Sequence, residues 1–137
     1  MPRVESDNDL RDLITSARTI AVVGLSPKEH RDSHRVAAYM QQQGFRIIPV
    51  NPNATEVLGE KAYPSLRDVP EPVDIVDVFR RAEYVDDVAQ QAVEIGAGAI
   101  WMQMGVVNES AAETADQAGL KVVMDRCLMV DHGRLTS

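Results

Sequence analysis

The feature that most constrains this chain is an alternation. Short, predominantly apolar runs alternate over most of the chain with segments whose apolar residues recur every three or four positions. The runs are Ile20–Val23, Phe45–Val50, Val73–Val78, Ala99–Met102 and Lys121–Met124. Between them, Val36, Ala37 and Met40, then Val85, Val88, Ala89 and Ala92, then Ala111, Ala112, Ala115 and Ala118 each share a helical face. Continuous apolar strands are buried on both sides, and strands alternating with amphipathic helices close into a parallel sheet through right-handed crossovers. The fold class expected is therefore α/β: a Rossmann-like, doubly wound parallel sheet of about five strands with helices on both faces. Ser6 is placed to cap a first helix bearing Leu10, Leu13, Ile14 and Ala17, Asp32 or Ser33 a second, and Asn108 a later one. Pro49, inside the second strand, lacks a donor; it either ends the regular ladder or turns its nitrogen to an unpaired side. Residues 51–72, broken by Pro52, Pro64, Pro70 and Pro72, carry no readable period.

At 137 residues the chain is expected to form one domain over 1–137, with a core at about 19–135 and a preceding helix at about 7–17. Fourteen basic against 21 acidic residues give a net charge of −7, which argues against a nucleic-acid or anionic-membrane surface. The single cysteine, Cys127, excludes an internal disulfide framework and a cysteine-based zinc cluster, and no metal site is expected. No apolar run approaches the roughly 20 residues that span a bilayer. The first residues, Met1-Pro2-Arg3-Val4, lack a leader's apolar segment. A cytoplasmic location follows as the expectation.

Open parallel sheets bind ligands beyond the carboxyl ends of their strands, where strand order reverses. The loops there hold the unusual residues. Gly24-Leu25-Ser26-Pro27-Lys28, with Arg31, Asp32, Ser33, His34 and Arg35, joins a tight turn and a hydroxyl to cations at a helix start, which suits an anion such as phosphate. Its other reading is a solvated loop balanced by Glu29 and Asp32. Positions 26 and 29 are not glycine, and Val50-Asn51-Pro52-Asn53 offers no carboxylate for a ribose, so a dinucleotide fingerprint is incomplete. The two amides of that segment suit a purine or ribose, or simply a turn. Val78-Phe79-Arg80 supplies an apolar wall and a cation, and Trp101-Met102-Gln103-Met104-Gly105 a narrow lining or more core.

Taken in order, Gly24–Lys28 with Arg31 and Ser33, Gly44-Phe45, Pro49–Pro52, Gly59, Val73–Arg80, Trp101–Gly105 and Asp125-Arg126-Cys127 resemble the stand-alone bacterial and archaeal CoA-binding domain proteins. These are similar to the CoA-binding domain of the succinyl-CoA synthetase α-subunit. The resemblance runs from about Thr19 to Leu135. It implies coenzyme A or an acyl-CoA as ligand. Gly24, Leu25 and Ser26 would surround its nucleotide end, and Lys28, Arg31, Ser33 and His34 would meet the phosphates. Val50, Asn51, Pro52 and Asn53 would contact adenosine, with Val78, Phe79 and Arg80 opposite and Gln103 and Gly105 toward the pantetheine.

No catalytic residue is assigned. The synthetases' phosphorylated histidine belongs to a further domain, and His30, His34 and His132 sit in the phosphate loop and in a C-terminal stretch expected to be flexible. Asp74 and Asp77, three apart on one strand, point to opposite faces and form no carboxylate pair. Cys127, beside Arg126 and near His132, is either a thiol able to exchange with that of CoA or a small buried apolar residue. The chain is thus expected to be a binding module without a reaction of its own, acting as carrier, sensor or partner subunit. The alternatives are an NAD(P)-dependent or Cys127 thiol-based oxidoreductase, and a protein-interaction module with a vestigial pocket. The protein partner is unspecified, and a homo-oligomer stays open.

Overall fold

The computed structural model describes residues 3–136. The expected domain ends and the first two residues of the N-terminal reading lie outside them. Strands β1 (Thr19–Val23), β2 (Arg46–Val50), β5 (Ile75–Val78), β6 (Ala99–Met102) and β7 (Lys121–Val123) form a parallel sheet in the order β2-β1-β5-β6-β7. One face is covered by α1 (Asp7–Ser16), α2 (Asp32–Gln42) and α5 (Leu128–Thr136) through Leu10, Ile14, Met40 and Leu128. The other is covered by α3 (Val85–Glu94) and α4 (Glu109–Gln117) through Val85, Ala89 and three alanines. The small residues of α4 let it approach the sheet closely. Trp101, with no exposed surface, fills the first layer and donates its Nε1–H to the Arg126 carbonyl at 2.8 Å. A buried indole thus keeps its hydrogen bond.

Strand order reverses at β1, since the chain leaves it for β2 on one side and returns to β5 on the other. That crossing uses the segment without sequence period. A hairpin, β3 (Glu56–Val57) and β4 (Glu60–Lys61), turns at Leu58 and Gly59, both with positive φ, as a two-residue turn between twisted strands requires. Tyr63 then bridges the outer edge of β2, its N–H donating to the Pro49 carbonyl (3.0 Å) and its carbonyl accepting from Asn51 (2.9 Å). Pro49 therefore stays in the ladder with β1, and its donorless nitrogen faces the outer edge. A short 3₁₀ turn at Leu66–Asp68 follows, its Leu66 N–H held by Gln91 Oε1 at 3.0 Å.

Ser6 and Asn108 cap α1 and α4 as expected, accepting from the Asp9 and Ala111 N–H groups. The second helix differs: α2 begins at Asp32, its cap position is Arg31, and no side chain caps it. Ser33 is drawn away because its Oγ accepts the Ser26 N–H at 3.0 Å. The C-terminal stretch is also not a loose tail. It is α5, tied to α1 by Arg134–Asp7 (3.0 Å) and to the end of β7 by the Arg126–Asp131 pair. His132 packs edge-on against Tyr39 and Phe45, and its Nδ1 lies 2.9 Å from the Tyr39 hydroxyl. Burial pushes its pKa down.

Candidate functional site

Gly24 fixes the geometry at the switch point. It has φ +88°, and a Cβ there would lie 2.4 Å from the Phe79 carbonyl oxygen, so the loop after β1 can touch the loop after β5 only without a side chain. Gly24 N–H donates to the Val50 carbonyl at 2.8 Å, tying in the third loop. The segment then folds on itself: Ser26 N–H to Ser33 Oγ, and Lys28 N–H to Ser26 Oγ at 3.1 Å. With Ser33 Oγ so engaged, no side chain caps the start of α2. Arg35 pairs with Asp32, while Lys28 and Arg31 enter no ion pair among the described residues. Uncapped amides at the positive end of an 11-residue helix, flanked by two exposed cations, are an arrangement whose electrostatics suit an anion.

Three cavities run along this edge. The middle one, about 280 Å³, is bounded by Gly24, Ser26, Arg31, Asp32, Ser33 and Phe79. On one side lies a cavity of about 260 Å³ with Val50, Pro52, Ser65, Arg80 and Tyr84 in its wall. Its wall residues Val23 and Arg80 are the chain neighbours of Gly24 and Phe79 in the wall of the middle one. The Arg80 guanidinium lies over the Tyr84 ring, 4.8 Å from the centroid. On the other side a cavity of about 400 Å³ shares Asp32 and Phe79 with the middle one and extends past Gln103 to Cys127 and α5.

The structure thus brings Gly24, Ser26, Arg31, Ser33, Val50, Pro52, Phe79, Arg80, Gln103 and Cys127 to one crevice. Lys28 and His34 lie near the start of α2, and Asn53 is exposed beside Pro52. Other expected contacts fall elsewhere. Leu25 and Val78 have no exposed surface and their side chains belong to the two core layers, so neither reaches a ligand through its side chain. Asn51 spends its amide on the fold: Nδ2 donates to the Leu25 carbonyl (2.9 Å), and Oδ1 accepts the Asn53 N–H (2.8 Å). Gly105 lies outside the cavity walls and donates its N–H to Asp125. The cations near Cys127 are committed: Arg126 is bidentate to Asp131 (2.6 and 2.9 Å), and His132 faces Tyr39.

The sequence reading missed Tyr84, Ser65, Met129 and Val130 as wall residues. Ser65 lies in the stretch without period, but Leu128, Asp131 and Leu135 recur at helical spacing and were a legible signal for α5. Asp74 and Asp77 indeed part company. Asp74 Oδ2 accepts from the Arg18 and Thr19 N–H groups, both at 2.9 Å. Asp77 lies between Val22 and Trp101 with no exposed surface, neither oxygen has a hydrogen-bond partner among the described residues, and burial pushes its pKa well up. No group of three metal-ligating side chains occurs among the described residues, and no helix there is long and apolar enough to cross a membrane.

Comparison with known proteins bears on this crevice. A family model described as a CoA binding domain matches residues 18–133. The uncharacterized protein YneT of Bacillus subtilis is 43% identical over 127 residues, covering 93% of this chain and 94% of that protein. An ADP-forming acetate–CoA ligase II of Archaeoglobus fulgidus is 35% identical over 104 residues, which make up 74% of this chain but only 15% of the ligase. Among solved structures, a hypothetical protein from Pyrococcus horikoshii OT3 superposes with a TM-score of 0.95 at 40% identity, covering 97% of this chain and 94% of its own. The cell-free protein ID.343 from Thermus thermophilus gives 0.92 at 41%, with 96% and 99% covered.

Proposed function

This chain belongs to the CoA binding domain family, and from that premise we propose that it binds coenzyme A, free or acylated, along the crevice above β1, β2, β5 and β6. The observation that carries the reading is the order of the three cavities. A cationic cradle lies between a compartment with an apolar wall, an arginine and a tyrosine, and a longer one reaching Gln103 and Cys127. Coenzyme A has the same order: a nucleoside, a pyrophosphate, then a long neutral arm. In this reading the α2 amides with Lys28 and Arg31 hold the pyrophosphate. Val50, Pro52 and Arg80 flank the adenosine, with Arg80 the cation in that wall for its ribose phosphate. Gln103, whose Oε1 is occupied by the Leu128 N–H at 3.1 Å, has its amide nitrogen left to donate to the arm.

The protein acts in this account as a cytoplasmic, single-domain carrier, sensor or subunit without chemistry of its own; the ligase activity belongs to a protein of which this chain spans 15%. One observation favours a second reading. Cys127 lines the compartment assigned to the thiol end, so thiol exchange with a CoA disulfide is geometrically open. Calorimetric titration of the reduced protein with CoA, NAD and NADP tests the first reading. CoA alone should bind; heat from NAD or NADP with CoA silent would overturn it. A covalent CoA adduct formed from CoA disulfide by wild type and absent in Cys127→Ser would support the second, and no adduct in wild type would dismiss it.

A further inference from the structure

The compartment of about 400 Å³ has two chemically distinct ends. The end it shares with the phosphate cradle carries Asp32 and Arg35, from the start of α2. The end formed by the loop after β6 and the start of α5 carries Met104, Val106, Met129 and Val130, with Cys127 among them. Met104 is 66% exposed and Val130 52%, so two large apolar side chains stand in water at this rim. A pantetheine arm whose thiol reaches Cys127 leaves the methionine–valine wall around it unaccounted for. Its two amides need hydrogen-bond partners, which Gln103 and the α2 start can offer and the methionine–valine wall cannot. Beyond the arm, the remaining wall suits hydrocarbon, and methionine side chains adapt to chains of differing shape.

We propose, building on the CoA reading, that this apolar end is an acyl site and that the protein's preferred ligand is an acyl-CoA thioester with its hydrocarbon chain between Met104, Met129 and Val130. The inference rests on continuity: the compartment opens from the phosphate cradle through Phe79 and Asp32, so a ligand anchored there by its pyrophosphate is led toward the apolar end. The volume lies within the range of small-molecule pockets, roughly 300–1,000 Å³.

Titrating the reduced protein with CoA, acetyl-CoA, butyryl-CoA and hexanoyl-CoA tests it. Affinity should climb along the series, about fourfold for each methylene that leaves water. Val130→Asp, at an exposed position that folding tolerates, should flatten that climb. Hexanoyl-CoA binding no tighter than CoA would overturn the acyl site and leave the CoA reading standing. A climb unchanged in Val130→Asp would overturn its placement. Silence from CoA and every thioester would overturn both.

Discussion

Replacing Asp77 with asparagine should stabilise this protein, and by an amount that grows with pH. The carboxyl lies in the central strand of the sheet, flanked by Val22 and Trp101, fully buried and without a partner for either oxygen among the described residues. Burial without compensation holds it protonated well above the usual carboxylate range. In the unfolded chain the same group ionises near pH 3.9. Between those two values the native state binds the extra proton, so the group's contribution is intact below about pH 4 and is lost as pH rises. The loss runs at about 1.4 kcal/mol per pH unit until the native carboxyl itself ionises. Asparagine does not titrate, so the gap between Asp77→Asn and wild type should open with that slope from about pH 4 upward. Asp77→Val suits a strand and removes the orphaned oxygens as well, adding about 1–3 kcal/mol at every pH. Urea unfolding at a series of pH values, followed by the fluorescence of Trp101, the chain's one tryptophan, reads both effects. Parallel stability curves for wild type and Asp77→Asn would mean instead that the carboxyl is ionised or paired in the folded protein.

Three more perturbations probe the site and its frame. Lys28→Glu and Arg31→Glu should each weaken CoA about 10- to 100-fold, the weight of a charge-assisted hydrogen bond, while adenosine affinity stays level; equal weakening of both ligands by calorimetry would remove these cations from the phosphates. Gly24→Ala should cost about 1–3 kcal/mol in chemical denaturation, from a positive φ and a Cβ pressed on the Phe79 carbonyl, and a wild-type midpoint would contradict that contact. Asp131→Ala leaves Arg126 without its carboxylate while Arg134 keeps Asp7, and with both guanidinium groups more than a third exposed it should destabilise by about 1–2 kcal/mol; a change below about 0.5 kcal/mol would mean that the pair is not part of the frame.

How much of this was legible follows from which forces write themselves into sequence. Burial on both faces produces apolar runs, so all five strands of the sheet and the helices between them stood out. Side-chain caps also did, where an Asx or Ser residue caps its own helix, as at Ser6 and Asn108. Ser33 misled because its hydroxyl serves a distant loop amide, a tertiary bond that no local pattern records. At Leu25, Val78 and Asn51 the use of the side chain was not readable for a related reason: a residue beside a tight turn often builds the turn. The first two anchor it in the core, and the third braces two loops together. The crossing between β2 and β5 was illegible because hairpin, edge bridge and 3₁₀ turn each last only two or three residues, too short for any period. Its contribution of Ser65 to the cavity wall therefore emerges only in three dimensions.

CoA lying along the carboxyl edge of the sheet, with its pyrophosphate at the start of α2, must perturb the backbone amides of that edge. Amide chemical-shift mapping on adding CoA to the isotope-labelled protein tests it most directly. The largest shifts are expected at Ser26, Lys28, Asp32 and Ser33, with Arg80 on one side and Gln103 on the other. Shifts confined to the opposite edge of the sheet, around the hollow between Thr15 and Phe45, would contradict it.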